Sequence, residues 1–148
     1  MIYYIRMMRP RLFYAYLKNK ENLQFHQLLQ LLLQTESSVH GITRLVIPST
    51  AATVNQSCCA HNTELTSVEI HSNSIAWTQF SGCTKLESVV VGTEVKNISY
   101  NPFAGCTNLT TLTYEGTQEE WNNIGKDTRW LLNASITTII CTDGQITL

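Results

Sequence analysis

Three segments of the chain are variants of one another: CAHNTELTSVEI (59–70), FSGCTKLESVVV (80–91) and FAGCTNLTTLTY (103–114). A more degenerate copy reads WLLNASITTIIC (130–141), and the tail of a further one reads VHGITRLVI (39–47). In the complete copies an anchor residue is followed by others 3, 6, 9 and 11 positions later. The anchors form columns. Cys59, Phe80, Phe103 and Trp130 make the first, and Asn62, Cys83, Cys106 and Asn133 the second. Ile42, Leu65, Leu86, Leu109 and Ile136 make the third. The fourth is Leu45, Val68, Val89, Leu112 and Ile139, and the fifth Ile47, Ile70, Val91, Tyr114 and Cys141. Val54, Ile75, Ile98, Ile124 and Ile146 are assigned to a sixth.

Such a period constrains the fold more than any other feature of the sequence. The last two anchors of each copy are two residues apart, which is the side-chain period of a strand, so each copy contributes a short strand with both anchors inward. The preceding steps of three suit a tight turn. One copy cannot bury its apolar edge alone. Stacking copies at a spacing of about 4.8 Å pairs the strands in parallel and joins the edges into one core.

The pattern F-x-G-C-T-x-L-x-x-V, with an Ile five residues before the Phe, resembles the BspA-type leucine-rich repeats. Ile75, Phe80, Cys83 and Leu86 match it, as do Ile98, Phe103, Cys106 and Leu109. The run YEGTQEEWNNI (114–124), with Trp130 and ICTDG (140–144), is similar to the terminal unit of many such proteins. The first copy departs from the pattern, with Cys59 for the Phe, His61 for the Gly and Asn62 for the Cys. The resemblance implies an α/β, β-rich fold: a short leucine-rich-repeat solenoid of about five coils with one parallel sheet. Residues 39–148 are assigned to the solenoid and 1–38 to a helical leader serving as N-terminal cap. At the other end Thr117 and Glu120 form a capping box that opens a short helix carrying Trp121 and Ile124, giving a capped C-terminus.

Composition sets the leader apart. Residues 1–34 contain no Ser, Thr or Gly, whereas all seven Gly fall later. Residues 1–41 carry a charge of +3, leaving -4 for the rest. That balance offers no basic field to a nucleic-acid backbone. The apolar stretches of the first 20 residues are broken by Arg6, Arg9, Arg11 and Lys18, and no small-residue cleavage site follows, so neither a signal peptide nor a transmembrane segment is expected. Within 21–35, Phe25, Leu28, Leu29, Leu32 and Leu33 fall on one helical face opposite Gln24, Gln27, Gln30 and Gln34. Three readings of that face stay open: a cover for the end of the solenoid, a helix that drives homo-oligomerisation, or a membrane-surface contact.

Chemistry finds little foothold. None of the five Cys makes zinc-type pairs, and Cys83 and Cys106 are expected as buried free thiols at an inward column. The four His lack ligand spacing, and no nucleophile–base arrangement can be assembled. No enzyme activity, metal or cofactor is expected.

What remains is the outer face of the parallel sheet. Its alternating columns are Arg44, Ser67, Ser88, Thr111 and Thr138; then Val46, Glu69, Val90, Thr113 and Ile140; then Pro48, His71, Gly92, Glu115 and Thr142. The candidate binding residues are Arg44, Ser67, Glu69, His71, Ser88, Val90, Thr111, Thr113, Glu115 and Thr138. The expected function is non-catalytic recognition of a protein or glycan through this face. The alternative is a structural subunit, such as a virion component, assembled through the N-terminal helix. The resemblance implies adhesion at a cell surface or after secretion.

Overall fold

The computed structural model describes residues 42–49, 51 and 57–148. The leader and its Phe25, Leu28, Leu29, Leu32 and Leu33 face lie outside the described residues, as does Val54.

Two sheets run along the molecule. The larger is built from β1 (Arg44–Ile47), β2 (Ser67–Ile70), β4 (Ser88–Val91), β6 (Thr111–Tyr114) and β8 (Thr138–Cys141), all parallel. A sixth strand, β9 (Gly144–Thr147), adds antiparallel to β8. Each parallel strand repeats the alternation that the columns require: Leu45, Val68, Val89, Leu112 and Ile139 are buried, and so are Ile47, Ile70, Val91, Tyr114 and Cys141. The smaller sheet joins β3 (Ser74–Ile75), β5 (Asn97–Ile98) and β7 (Gly125–Lys126), also in parallel. The solenoid therefore has two parallel sheets rather than one. Its five parallel strands enclose about four complete turns, not five, because a run of strands bounds one turn fewer than its count.

The turns between the sheets hold the bulk of the core. Phe80 and Phe103 stack with ring centroids 5.7 Å apart and planes 7° from parallel, and Trp130 continues their column. Behind them the second column works by hydrogen bonding. The Cys83 thiol donates to the Cys59 carbonyl and the Cys106 thiol to the Phe80 carbonyl, each at 3.1 Å. Asn62 reaches back to the Ile42 carbonyl at 3.4 Å. Small donors stand here because each must meet a carbonyl of the preceding coil inside a dry interior. All five Cys are buried and free.

The left-handed backbone also recurs. Gly82 and Gly105 have φ of +75° and +70°, and His61, at the same place in the first complete copy, has +59°. The close turn demands that conformation, which only Gly enters without steric cost.

A short helix, α1 (Gln118–Asn123), replaces the simple turn between β6 and β7. The Thr117 hydroxyl accepts the Glu120 amide at 3.2 Å, and the Thr117 amide donates to the Glu120 carboxylate at 2.8 Å, completing the capping box. Buried Trp121 meets Tyr114 and Trp130 edge-on, at centroid distances of 5.4 and 5.9 Å. Two sixth-column assignments fail. Ile98 pairs with Lys126, not with Ile124, because α1 shifts the phase of the chain before β7. Ile146 lies in β9 opposite Ile139, because the Thr142–Asp143 turn sends the chain back along the larger sheet.

Candidate binding face

Parallel pairing brings the outward side chains of successive strands into rows. Arg44 pairs with Ser67, Ser67 with Ser88, and Thr111 with Thr138. In the next row Val46 pairs with Glu69, Glu69 with Val90, Val90 with Thr113, and Thr113 with Ile140. Nearly all of these residues are small, hydroxylated or β-branched, the types that fit a pleated surface. Ile140 is 45% exposed at the end of the second row.

Charge concentrates at two points. At the β1 edge the Arg44 guanidinium pairs with Glu69 of the neighbouring strand. Such exposed pairs contribute little stability, but this one neutralises the acidic residue in the middle row. At the C-terminal ends of the strands, His71 Nδ1 lies 3.5 Å from Glu94 Oε2 and 3.7 Å from Glu115 Oε2. Glu94 is absent from the sequence-derived set, and the missed signal is its place two residues beyond Gly92. Gly92 makes the arrangement possible. A Cβ there would stand 2.5 Å from both His71 Nδ1 and Glu94 Oε2.

The third row is regular only over part of its length. His71, Gly92 and Glu115 each donate a backbone N–H to the last strand residue of the preceding coil, at 2.8 to 3.0 Å. Thr142 instead donates to Gly116, two residues beyond the matching position. The insertion of α1 takes the last coil out of phase here.

Burial pushes the thiols away from reactivity. Desolvation raises Cys83 to about 11 and Cys106 to about 12, while the Cys58 thiol, 3.4 Å from that of Cys59, and burial together raise Cys59. A neutral buried thiol is a poor nucleophile. Among the described residues no group of three or more His, Cys, Asp or Glu side chains is arranged to hold a metal ion, and no helix is long and apolar enough to cross a membrane.

Short parallel strands stacked coil on coil, with a buried aromatic in the turn before β4, β6 and β8, define a leucine-rich-repeat solenoid. The BspA type Leucine rich repeat region matches residues 35–145 in six copies, and the chain belongs to that family. No curated protein and no solved structure matches the chain.

Proposed function

We propose that the protein is a non-catalytic binding module of the adhesion type, taking a protein or glycan ligand across the outer face of the larger sheet. One observation carries this reading. The rows from Arg44 to Thr138 and from Val46 to Ile140 present an in-register surface whose central acidic side chain is already paired. A ligand meets there a low desolvation cost and a rigid frame, since each outward residue sits on a strand whose other face is core. Family membership supports recognition in general and leaves the ligand class to the surface chemistry.

The test replaces Glu69, Val90 and Thr113 together by Lys. All three project from the sheet, so folding should survive, as thermal unfolding will show. Binding of the purified protein to cell-surface preparations is then compared before and after protease or glycosidase treatment. The triple variant should lose binding, and the treatment that removes it for the unaltered chain identifies the ligand class. Unchanged binding by the variant sinks the sheet-face reading.

A further inference from the structure

The margin of the smaller sheet carries a second constellation, independent of the sheet face. Trp77 follows β3 by two residues, Tyr100 follows β5 by two, and Arg129 follows β7 by three. Stacking of the coils brings them together. Trp77 meets Tyr100 edge-on with ring centroids 5.8 Å apart and planes at 79°. The Arg129 guanidinium carbon lies 4.6 Å from the centre of the Tyr100 ring. Trp77 remains 48% exposed, while the other two tryptophans, Trp121 and Trp130, are buried.

Arg129 lies over the Tyr100 ring with only a loose ion pair to one acid. Its nearest acid, Asp127, accepts the Arg129 backbone N–H at 2.8 Å through Oδ1, and that same oxygen is 3.8 Å from the side-chain Nε. No hydrogen bond joins the guanidinium to another group among the described residues, and the side chain is 65% exposed. A guanidinium over an aromatic ring and largely open to solvent still has N–H donors free of protein partners among the described residues, and its planar fork is the group that binds a carboxylate bidentately.

We propose that Trp77, Tyr100 and Arg129 form a binding strip for an acidic oligosaccharide. The apolar face of one pyranose lies on Trp77, and the carboxylate of an adjoining sugar takes the Arg129 fork. Span supports a chain over a single ring. Trp77 and Arg129 stand about two coil spacings apart, roughly 10 Å, which a lone pyranose does not bridge and two or three linked ones do. Width argues against a folded protein partner. Three side chains in a line fall short of the roughly 800 Å² per partner of a standard protein interface. The flanking positions Ser57, Thr78 and Thr128 offer hydroxyls rather than apolar contact, and the first two already bond each other.

Calorimetric titration of the full chain with tri-galacturonate and with 3′-sialyllactose tests the strip and separates a uronate from a sialate source. At least one should bind and perturb the fluorescence of exposed Trp77. Trp77→Ala should abolish binding. Arg129→Gln should weaken the carboxylated probe about tenfold, as expected for one lost charge-assisted pair. That variant should also erase the preference for the probe over its methyl ester. Neither substitution touches the core, and both variants should unfold like the parent. Failure of both sugars to bind overturns the proposal, as does unchanged affinity in both variants. So does equal binding of a glutamate-rich peptide of matching charge. Because the triple Lys variant of the larger sheet leaves this strip intact, it should bind the sugars normally, and failure of one surface does not imply failure of the other.

Discussion

Lys126 stands in register with Ile98, so a cation occupies the position that an isoleucine fills one coil earlier. Its ammonium donates to the carbonyls of Trp121 and Ile124, the latter at 3.1 Å, and lies 4.9 Å from the Trp121 ring centre. Partial burial lowers its pKa, but the two carbonyls at the end of α1 gain a charged donor. Lys126→Met keeps the packing of the stem and removes the donor. It should cost about 1.5–3 kcal/mol in chemical denaturation, the scale of a hydrogen bond to a charged group. An unchanged midpoint would show that water serves those carbonyls equally well.

Phe103 is fully buried and stacks on Phe80. Phe103→Ala should lose about 3–5 kcal/mol, since it opens a cavity as well as removing buried area. Trp77→Ala, at the exposed margin, should change stability by less than about 0.5 kcal/mol. Similar losses for the two would contradict the placement of the core.

His61 and Asn101 hold φ of +59° and +55° without being glycine. Asn101 also buries a side-chain oxygen that has no partner among the described residues. His61→Gly brings the first complete copy to the residue type that its neighbours Gly82 and Gly105 use. That change should raise stability by about 1 kcal/mol, the backbone strain relieved exceeding the entropy lost. Gly105→Ala, at φ +70°, should move the denaturation midpoint the other way by a similar amount.

The buried thiols predict an alkaline limit. In the unfolded chain they ionise near 9.0, whereas in the fold Cys83 and Cys106 wait until about 11 and 12. Between those values the unfolded chain binds fewer protons, so stability is complete below about pH 9 and falls as pH rises. The slope is about 1.4 kcal/mol per pH unit for each thiol. Stability measured from pH 8 to 11 should show it, and Cys83→Ala and Cys106→Ala should each remove their share of the slope despite a lower starting stability.

The repeat was legible because a whole set of inward anchors, ending on a strand period, recurs from copy to copy along the chain. The columns through Leu45 and Ile47 pair as the sequence pattern requires. Legibility ended where the unit changed length. The stretch from Leu109 to Ile136 is longer than those before it, and α1 takes up the extra residues. The earlier period predicts Ile124 at the place opposite Ile98, and Lys126 stands there instead. Asp143-Gly144 is a turn signal that would have placed Ile146 in a returning strand. On the surface, rows of outward residues followed from alternation alone. The strip at Trp77 required the distance between coils, although Trp77 and Tyr100 each precede a buried Phe by three residues. The approach of Glu94 to His71 depended on the bare Cα of Gly92, a contact that spacing cannot express.

The reversed direction of β9 decides where this array can grow. In the larger sheet β1, β2, β4 and β6 each offer the next coil the same parallel register, so whole units can be duplicated or deleted among them with neighbours still matched. β9 runs against that register and occupies the edge of β8 on which another coil would add. Lengthening the reach of the molecule, by evolution or by engineering, therefore means inserting units ahead of β8 and carrying the closing hairpin along unchanged.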